Sequence, residues 1–422
     1  MATYYVDYVN GNDTTGTGAT GVPWKTPAKA LTVVANGDTV KFRGTSGNSA
    51  SWYPTPWTAS VAGVTWMADG DHTPTWDGNY NRNGTTYSVG SSRPGSLYDA
   101  MLTVKAANNT FSGLRFQNVG GEGISIGENC DSTTITNCVV NMTYGSSIVV
   151  NAARDNLVAD IEIGYSTFTH SSYALLSSDI LGTGSQQKAG NAVMLQNCQD
   201  LHFHHNTVAW SMKEGINVDK AGVRTIIEYN TIHSINHSGI YINRTVECDI
   251  RHNTIHHTKN RIFLGTGYGK RSAPPGIKIG DELEVGKVMP ANSSKQRVYN
   301  NLVVGAGKCL IVSNNTNPSG YDTQLNQAYI GFNTFIGEVW TDANGISKTE
   351  HVIEIIGNEY NKPHVKTIFE NNLIYAPAGV SLGKFGGTSG IAFRNNCWYS
   401  ADGNSVAAAA RSNSDVTANP LL

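Results

Sequence analysis

The sequence predicts an all-β solenoid, the parallel β-helix, and two interleaved repeats lead to that prediction. One is an Asn-Thr pair followed by an apolar residue, and its first three copies start 24 and 23 residues apart. Its copies are Asn206–Val208, Asn230–Ile232, Asn253–Ile255 and Asn333–Phe335. The other is a glycine that opens a short alternating strand, as in Gly123–Ile126, Gly215–Val218, Gly239–Ile242 and Gly276–Ile279. Self-similarity at this period is typical of repeat proteins, and such short apolar runs between Gly and Asn favour strands over helices.

The geometry of a β-helix coil accounts for both repeats. Successive coils pair as parallel ladders about 4.8 Å apart, so each coil would contribute two or three short strands. Like residues should then stack in the interior, with Val208, Ile232 and Ile255 in one column and Ile216 over Ile240 in another. The recurrent Asn is expected at a sharp turn, where its side chain bonds local backbone and tolerates a left-handed conformation. Stacked amides are also expected to bond one another.

Composition narrows the classes of function. The chain has 422 residues, 45 glycines, 15% charged residues and a formal net charge of −2. One solenoid can use this length without domain boundaries, because each repeat contacts only its neighbours. Near-neutral charge argues against nucleic-acid binding, and no apolar stretch is long enough for a membrane span. Met1–Thr3 leads directly into Tyr4–Asp7 without a signal peptide, which favours either a virion-associated protein or an extracellular one whose leader has been removed.

The chain is predicted to have four segments within a single domain. These are residues 1–44, an N-terminal strand and capping helix; 45–100, irregular early coils with long loops; 101–400, the β-helix coils; and 401–422, a closing segment. The cap is expected because a solenoid exposes its terminal coils. Thr26 would be the N-cap of its helix, Pro27 its first turn and Asn36-Gly37 its end, followed by the strand 39–42.

The six cysteines are predicted to be buried free thiols. They form no CxxC pair and show no metal-ligand spacing. Cys138, Cys198 and Cys397 each follow an Asn inside the repeats, where small apolar residues pack. A free cysteine behaves as a small hydrophobic residue in such a position.

Motifs at both ends of the chain carry a resemblance to a known superfamily. They are Tyr5–Asp7, Asn10–Asp13, Pro23–Thr26 and Gly37–Val40 near the N-terminus, and Asn396–Tyr399 and Ala418–Leu421 near the C-terminus. These segments resemble the opening and closing segments of right-handed parallel β-helix proteins of the pectate-lyase-like superfamily. The resemblance implies a right-handed, carbohydrate-active β-helix. Its members include polysaccharide lyases, glycoside hydrolases, epimerases, phage tailspikes and proteins without known activity.

Histidines are concentrated in three neighbouring coils. Eight of the twelve lie between His202 and His257. Alignment on the repeat places His233 beside His256 and Tyr229 beside His252. A polar ladder on a solvent face is favoured over a metal site, because the sequence offers no recurring histidine pairs with convergent carboxylates.

The Gly-entered strands predict a cluster of polar side chains on one face. Alternation along the strands directs Asn217 and Asp219, then Tyr241 and Asn243, then Lys278 outward. Further charged residues flank these strand ends: Lys213, Glu214, Lys220, Arg224, His237, Arg244 and Asp281. The segment 265–295 is long enough to wall a groove over them. The predicted substrate-binding residues are Asn217, Asn243, Lys220, Arg224, Lys270 and Arg271.

Two reactions would use such a face. A lyase acting on a uronic-acid polymer removes the proton beside the sugar carboxylate, which requires a base and a cation that neutralises the carboxylate. Tyr241, Lys278 or His237 would be the base and Arg244 the neutralising group. A glycoside hydrolase instead needs two carboxyl groups, for which Glu214, Asp219 and Asp281 are the candidates.

A third function is binding without catalysis, as in a phage receptor-binding or adhesion module, and the protein would be a monomer or a homotrimer. The expected partner is a polysaccharide in each case. No cofactor is firmly predicted. Four oxygen-bearing residues, Asp7, Asn10, Asn12 and Asp13, suit Ca²⁺ by ligand type, although a tight Asx turn explains the same spacing.

Overall fold

The structure is a computed structural model that describes most of the chain. The described residues are 1–45, 52–78, 80–83, 86–89, 100–153, 156–172, 190–219, 222–257, 274–280, 294–313, 325–341, 347–348, 351–356 and 363–420. Contacts divide the chain into two compact units, residues 1–212 and 213–422. Within the described ranges, no helix has the length and apolar character needed to cross a membrane.

Unit 1 contains one short helix and a succession of short strands. The helix is α1, Pro27–Leu31. The strands are β1 Thr3–Asp7, β2 Thr39–Arg43, β3 Trp57–Ala59, β4 Thr65–Ala68, β5 Thr75–Asp77, β6 Tyr80–Asn83, β7 Thr86–Val89, β8 Leu102–Val104, β9 Thr110–Ser112, β10 Arg115–Val119, β11 Ile124–Ile126, β12 Thr134–Thr136, β13 Val139–Thr143, β14 Ile148–Asn151, β15 Val158–Ala159, β16 Glu162–Gly164, β17 Thr167–Ser171, β18 Val193–Gln196, β19 Cys198–Gln199, β20 His202–His204 and β21 Thr207–Ser211.

Unit 2 continues the same pattern and ends in a 3-10 turn at Ala408–Ala410. Its strands are β22 Ile216–Asp219, β23 Ile226–Glu228, β24 Thr231–Ile235, β25 Ile240–Asn243, β26 Asp249–Arg251, β27 Thr254–His256, β28 Pro275–Gly280, β29 Arg297–Tyr299, β30 Leu302–Ala306, β31 Lys308–Ser313, β32 Tyr329–Gly331, β33 Thr334–Gly337, β34 Trp340–Thr341, β35 Ser347–Lys348, β36 His351–Ile355, β37 Thr367–Glu370, β38 Leu373–Ala376, β39 Ser381–Phe385, β40 Ile391–Arg394 and β41 Cys397–Ser400.

Each unit builds its coils from three parallel sheets. In unit 2 we call them the β22 sheet (β22-β25-β28-β31-β36-β39), the β23 sheet (β23-β26-β29-β32-β37-β40) and the β24 sheet (β24-β27-β30-β33-β38-β41). The chain visits the three sheets in the same order in every coil, and each strand pairs in parallel with its counterpart one coil later. This is the predicted right-handed parallel β-helix.

The interior of unit 2 consists of stacked aliphatic columns. On the β22 sheet, Ile216, Ile240, Ile277, Leu310 and Ile353 are register partners, and all five are fully buried. Each side chain of this kind contributes about 1.5–3 kcal/mol when it leaves water. The predicted contacts of Ile216 with Ile240 and of Ile232 with Ile255 are confirmed.

A ladder of buried asparagines runs along the turn between the β23 and β24 sheets. Its members are Asn230, Asn253, Asn301, Asn333, Asn372 and Asn396. The Nδ2 of each donates to the Oδ1 of the next at 2.9–3.1 Å, as the repeat predicted. The left-handed conformation belongs to the residue before each ladder position, for example Tyr229 and His252 with φ of 55°. The prediction that the Asn of each triplet adopts the left-handed conformation was therefore wrong, because that Asn must keep its amide directed along the ladder.

The N-terminal helix forms as its cap residues predicted but is shorter. Thr26 Oγ1 accepts a hydrogen bond from Lys29 N at 3.2 Å, and Pro27 occupies the first turn. The helix ends at Leu31, where Thr32 N donates to Lys29 O at 3.1 Å. The predicted end at Asn36-Gly37 was wrong, because this tight last turn ends the helix one turn earlier.

The cysteines are all free, and five are buried. Burial raises the pKa of Cys138 to about 12, against the lowering effect of nearby backbone hydrogen bonds. Cys397 is half-buried and departs from the prediction, since it lies in β41 near the C-terminus.

Candidate functional site

The central column of the predicted face lies on the outside of the β22 sheet. Asn217, Tyr241 and Lys278 are register partners in three consecutive coils. Lys278 Nζ lies 4.3 Å from the centroid of the Tyr241 ring, a cation–π contact. The ring lies against Gly280, where a Cβ would come within 2.7 Å of Tyr241 Oη. Tyr241 is only 6% exposed, so Lys278 and the backbone of the next coil hold it in one position.

A carboxylate and an imidazole are paired at the entrance to the same strands. Glu214 precedes β22, and His237 lies in the turn before β25. His237 Nδ1 lies 2.9 Å from Glu214 Oε1, and Lys213 Nζ lies 4.0 Å from Oε2. Burial by itself raises the pKa of Glu214, but His237 and Lys213 outweigh it and lower this pKa to about 2. Glu214 is therefore a carboxylate at any ordinary pH and orients His237.

An ion pair occupies the far end of the strands. Asp219 Oδ1 accepts hydrogen bonds from Arg244 Nη2 at 2.9 Å and from Asn243 Nδ2 at 3.1 Å. Asn217, Asn243 and Arg244 are all buried. Arg244 must therefore leave Asp219 before it can neutralise a substrate carboxylate, and the two asparagines, although they lie on the same face, leave little surface for a substrate.

The remaining predicted site residues lie elsewhere. Arg224 lines a cavity on the outer face of the β23 sheet, together with Glu247 and Arg297. This placement separates it from the Tyr241 column, because the turn after β22 carries it onto the next sheet. Lys220, Lys270, Arg271 and Asp281 lie outside the described residues.

The structure adds Glu354 to the face. The Tyr241 column continues from Lys278 through Ile311 to Glu354 and Lys384. Glu354 is 4% exposed, with Lys308 Nζ at 2.5 Å and Lys384 Nζ at 3.7 Å. Sequence reasoning missed it because Ile311 and Glu354 are 43 positions apart, far more than the 24 between Asn217 and Tyr241.

A second missed residue, Glu122, lies in unit 1. Burial raises its pKa to about 7, although a hydrogen bond from Ser125 lowers it in part. It immediately precedes Gly123 and β11, just as Glu214 precedes Gly215 and β22. The shared Glu-Gly pair at the entrance to a Gly-entered strand was the sequence signal that could have found it.

Other side chains with metal-ligand chemistry are used by the chain itself. Asp7 accepts from the backbone of Val9 and Asn10, and Asn12 accepts from the backbone of Thr14 and Thr15. These are the Asx-turn bonds that the spacing favoured over Ca²⁺. His233 and His256 stack with ring centroids 5.0 Å apart, as the repeat predicted.

Comparisons with known proteins bear on the fold. The family described as "Periplasmic copper-binding protein (NosD)" matches residues 144–345. A lacto-N-biosidase of family GH136 from Eubacterium ramulus is 11% identical with a TM-score of 0.58, over 94% of this chain and 67% of that one. The Dettilon tailspike protein is 13% identical with a TM-score of 0.53, over 85% and 62%. The polygalacturonase from Erwinia carotovora ssp. carotovora is 12% identical with a TM-score of 0.51, over 87% and 91%.

These likenesses have limits. The chain spans 62% of the length of the tailspike protein. A comparison with curated proteins returned no match. At identities of 11–13% the structural neighbours establish the fold and leave the reaction open.

The copper named in the family description can be tested against the residues present. In the part of the chain that the structure describes, no group of three or more His, Cys, Asp or Glu side chains is placed to hold a metal ion. Burial also raises the pKa of the Cys130, Cys138 and Cys309 thiols, which disfavours the thiolate that a metal requires. The described residues thus do not fit copper. Strand register, family match and structural neighbours together identify the chain as a right-handed parallel β-helix protein.

Proposed function

We propose that the protein is a polysaccharide lyase, extracellular or virion-associated, that cleaves a uronic-acid-containing chain by β-elimination on the Tyr241 face. We define this face by Glu214, His237, Tyr241, Lys278 and Glu354. The observation that carries the proposal is the His237–Glu214 pair, 2.9 Å apart, at the entrance to the strand whose Tyr241 ring contacts Lys278. A base oriented by a carboxylate and an adjacent cation are the two groups that elimination needs.

Each residue then has a distinct role. The Glu214 carboxylate, 2.9 Å from Nδ1, attracts the imidazole proton to that nitrogen, so Nε2 carries the lone pair that accepts the proton from the carbon beside the sugar carboxylate. The electron pair of that C–H bond forms the new carbon–carbon double bond. The glycosidic C–O bond breaks, and its electron pair leaves with the oxygen, which takes a proton from Tyr241 or from water. Lys278 replaces Arg244 as the group that neutralises the substrate carboxylate, because Arg244 is paired with Asp219.

Two assays run together test the reaction. Incubation with a panel of uronate polysaccharides should raise ultraviolet absorbance, because elimination creates a conjugated double bond, and new reducing ends should appear at the same rate. His237→Gln should abolish both signals. His233→Gln is the matched control, since that histidine lies on the β24 sheet and stacks on His256. Equal loss in both variants, or no loss in His237→Gln, would remove this assignment.

Glycoside hydrolysis is the second candidate, and Glu122 favours it. A carboxyl group with a pKa of about 7 retains its proton near neutrality and can donate it to a leaving oxygen. Glu214 and Asp219 suit that role less well, because Lys213 lies beside the first and Arg244 is paired with the second. Reducing ends without absorbance, lost in Glu122→Gln, would establish hydrolysis. If neither absorbance nor reducing ends increase, a non-catalytic module that binds surface polysaccharide is favoured.

A further inference from the structure

The outer face of the β23 sheet has a concave site that the proposed reaction does not use. A cavity of about 430 Å³ opens there. Its polar lining includes Arg224, Glu247, Asp249, Lys295, Arg297 and Tyr329. Asp249, Arg297 and Tyr329 are register partners on consecutive coils, and their inward neighbours Ile250 and Val298 are fully buried. Alternation thus directs this lining away from the core.

The charged groups of the cavity are paired across coils. Lys295 Nζ lies 2.6 Å from Glu247 Oε1, and Arg297 forms a close ion pair with Asp249. The lining residues supply three cations and two carboxylates, a formal balance of +1. Paired groups held on rigid strands present hydrogen-bond donors and acceptors in fixed directions. A balance this small suits a polyhydroxylated or weakly acidic ligand better than a dense polyanion.

An aromatic row runs beside the cavity through four consecutive coils. Tyr229 and His252 are stacked with ring centroids 4.8 Å apart and planes at 5°. His252 meets Tyr299 at 6.2 Å, and Tyr299 meets Tyr329 at 6.5 Å. Tyr299 is fixed by Arg251, whose Nη1 donates to its Oη at 2.8 Å. Three coil spacings of about 4.8 Å make the row about 14 Å long, which is the scale of an oligosaccharide.

The exposure of the aromatic row indicates that these side chains do more than pack against the coils. Tyr229 is 48% exposed, whereas Tyr241 on the other face is 6% exposed. Tyr229 and His252 both occupy left-handed turn positions with φ of 55°, where asparagine and histidine are favoured and a tyrosine is uncommon. Asn300 and Asn371 occupy the corresponding position in later coils. The fold alone therefore does not require aromatic side chains here.

We propose that the row and the cavity, which we call the groove face, form a second carbohydrate-binding surface for a weakly acidic oligosaccharide. Sugar rings lie along the solvent-facing edges of the stacked Tyr229 and His252 rings and beside Tyr299, because aromatic side chains combine an apolar body with a polar edge. The hydroxyl and carboxylate groups meet the ion pairs of Lys295 and Arg297. The surface binds without cleaving, so it would hold a polymer while the Tyr241 face acts on it, and it does not depend on the proposed elimination.

The test is the binding of tetragalacturonate to the full chain. Saturation-transfer NMR detects the binding, and titration gives the affinity. The His237→Gln background prevents turnover. In that background Tyr229→Asn with His252→Asn should weaken binding at least tenfold, and asparagine suits both left-handed positions. The matched control is His233→Asn with His256→Asn, since that pair is also stacked but lies on the β24 sheet. It should bind as the background does.

A second variant keeps the result interpretable. Lys278→Ala removes the cation of the Tyr241 face, so the binding that remains in this variant belongs to the groove face. If Lys278→Ala abolishes binding while the Tyr229/His252 variant retains it, the Tyr241 face holds the ligand and the proposal is overturned. Absence of binding by the background protein overturns it as well. Loss in the His233/His256 variant equal to that in the Tyr229/His252 variant would show a general effect of removing a stacked pair and also reject the groove face.

Discussion

Two faces of unit 2 carry polar side chains in contrasting environments. On the Tyr241 face, Glu214, Tyr241 and Glu354 are 5%, 6% and 4% exposed, and each has a lysine as neighbour. On the groove face the Lys295–Glu247 pair, Arg297 and the Tyr229 ring are exposed, whereas the Asp249 carboxylate is buried. Burial makes protonation states depend on specific partners, which is what a catalytic group requires. Exposed pairs keep ordinary solvation and offer hydrogen bonds to a ligand instead.

The largest expected effect tests whether the Tyr241 face is catalytic. His237→Gln should lower turnover by about 10²–10⁴-fold, the usual contribution of a general base. Lys278→Ala should lower it by a similar amount through loss of carboxylate neutralisation. The initial rate of absorbance increase is the measurement. Full turnover in both variants would show that the Tyr241 face is not catalytic, and the two faces would then differ only in how tightly their side chains are packed.

The next effect concerns pH and Glu214. Its pKa is lowered from 4.5 to about 2 in the folded protein, so the stabilisation is present above pH 4.5 and is lost as pH falls toward 2. The total is on the order of 3 kcal/mol. Denaturant unfolding between pH 5 and 2 should show this slope, and Glu214→Gln should flatten it. An unchanged slope in the variant would mean that other carboxyl groups cause the loss.

A smaller effect tests how the Tyr241 ring is positioned. Gly280→Ala would place a Cβ within 2.7 Å of Tyr241 Oη, so the ring must move away from Lys278. The unfolding free energy should fall by about 1–3 kcal/mol. Turnover should fall further than this loss of stability explains, when compared at a temperature where both proteins are folded. Gly21→Ala is the control, since nothing lies within 4 Å of the position that its Cβ would take, and it should change neither stability nor turnover.

The smallest effect belongs to the groove face. Lys295→Gln removes the partner of Glu247 in an exposed pair, and solvent replaces the lost contact. The unfolding midpoint should not change measurably, whereas tetragalacturonate binding should weaken. A clear loss of stability would show that this pair supports the coils and would weaken the contrast between the two faces.

Sequence reasoning reached the parts of the site that follow the regular repeat. Asn217 and Tyr241 could be aligned because adjacent coils of nearly constant length carry them. Glu354 could not, because the longer intervening chain hides its register with Ile311. The groove face was missed for another reason. Its residues occupy turn positions and strand ends whose types follow no repeat, although Tyr229 and His252 had been aligned with each other.

The sequence by itself determined the fold, since period-two strands, entry glycines and stacking asparagines recur at a length that only a coil of parallel strands can accommodate. Those signals are local and repeat along the chain, so they can be read without coordinates. The tertiary structure alone decided the position, the ion-pair partner and the ionisation of each charged group. It paired Arg244 with Asp219, kept Glu214 ionised beside His237, and moved Arg224 onto another sheet. Burial and ion pairing depend on distances between coils, and composition and spacing do not specify those distances.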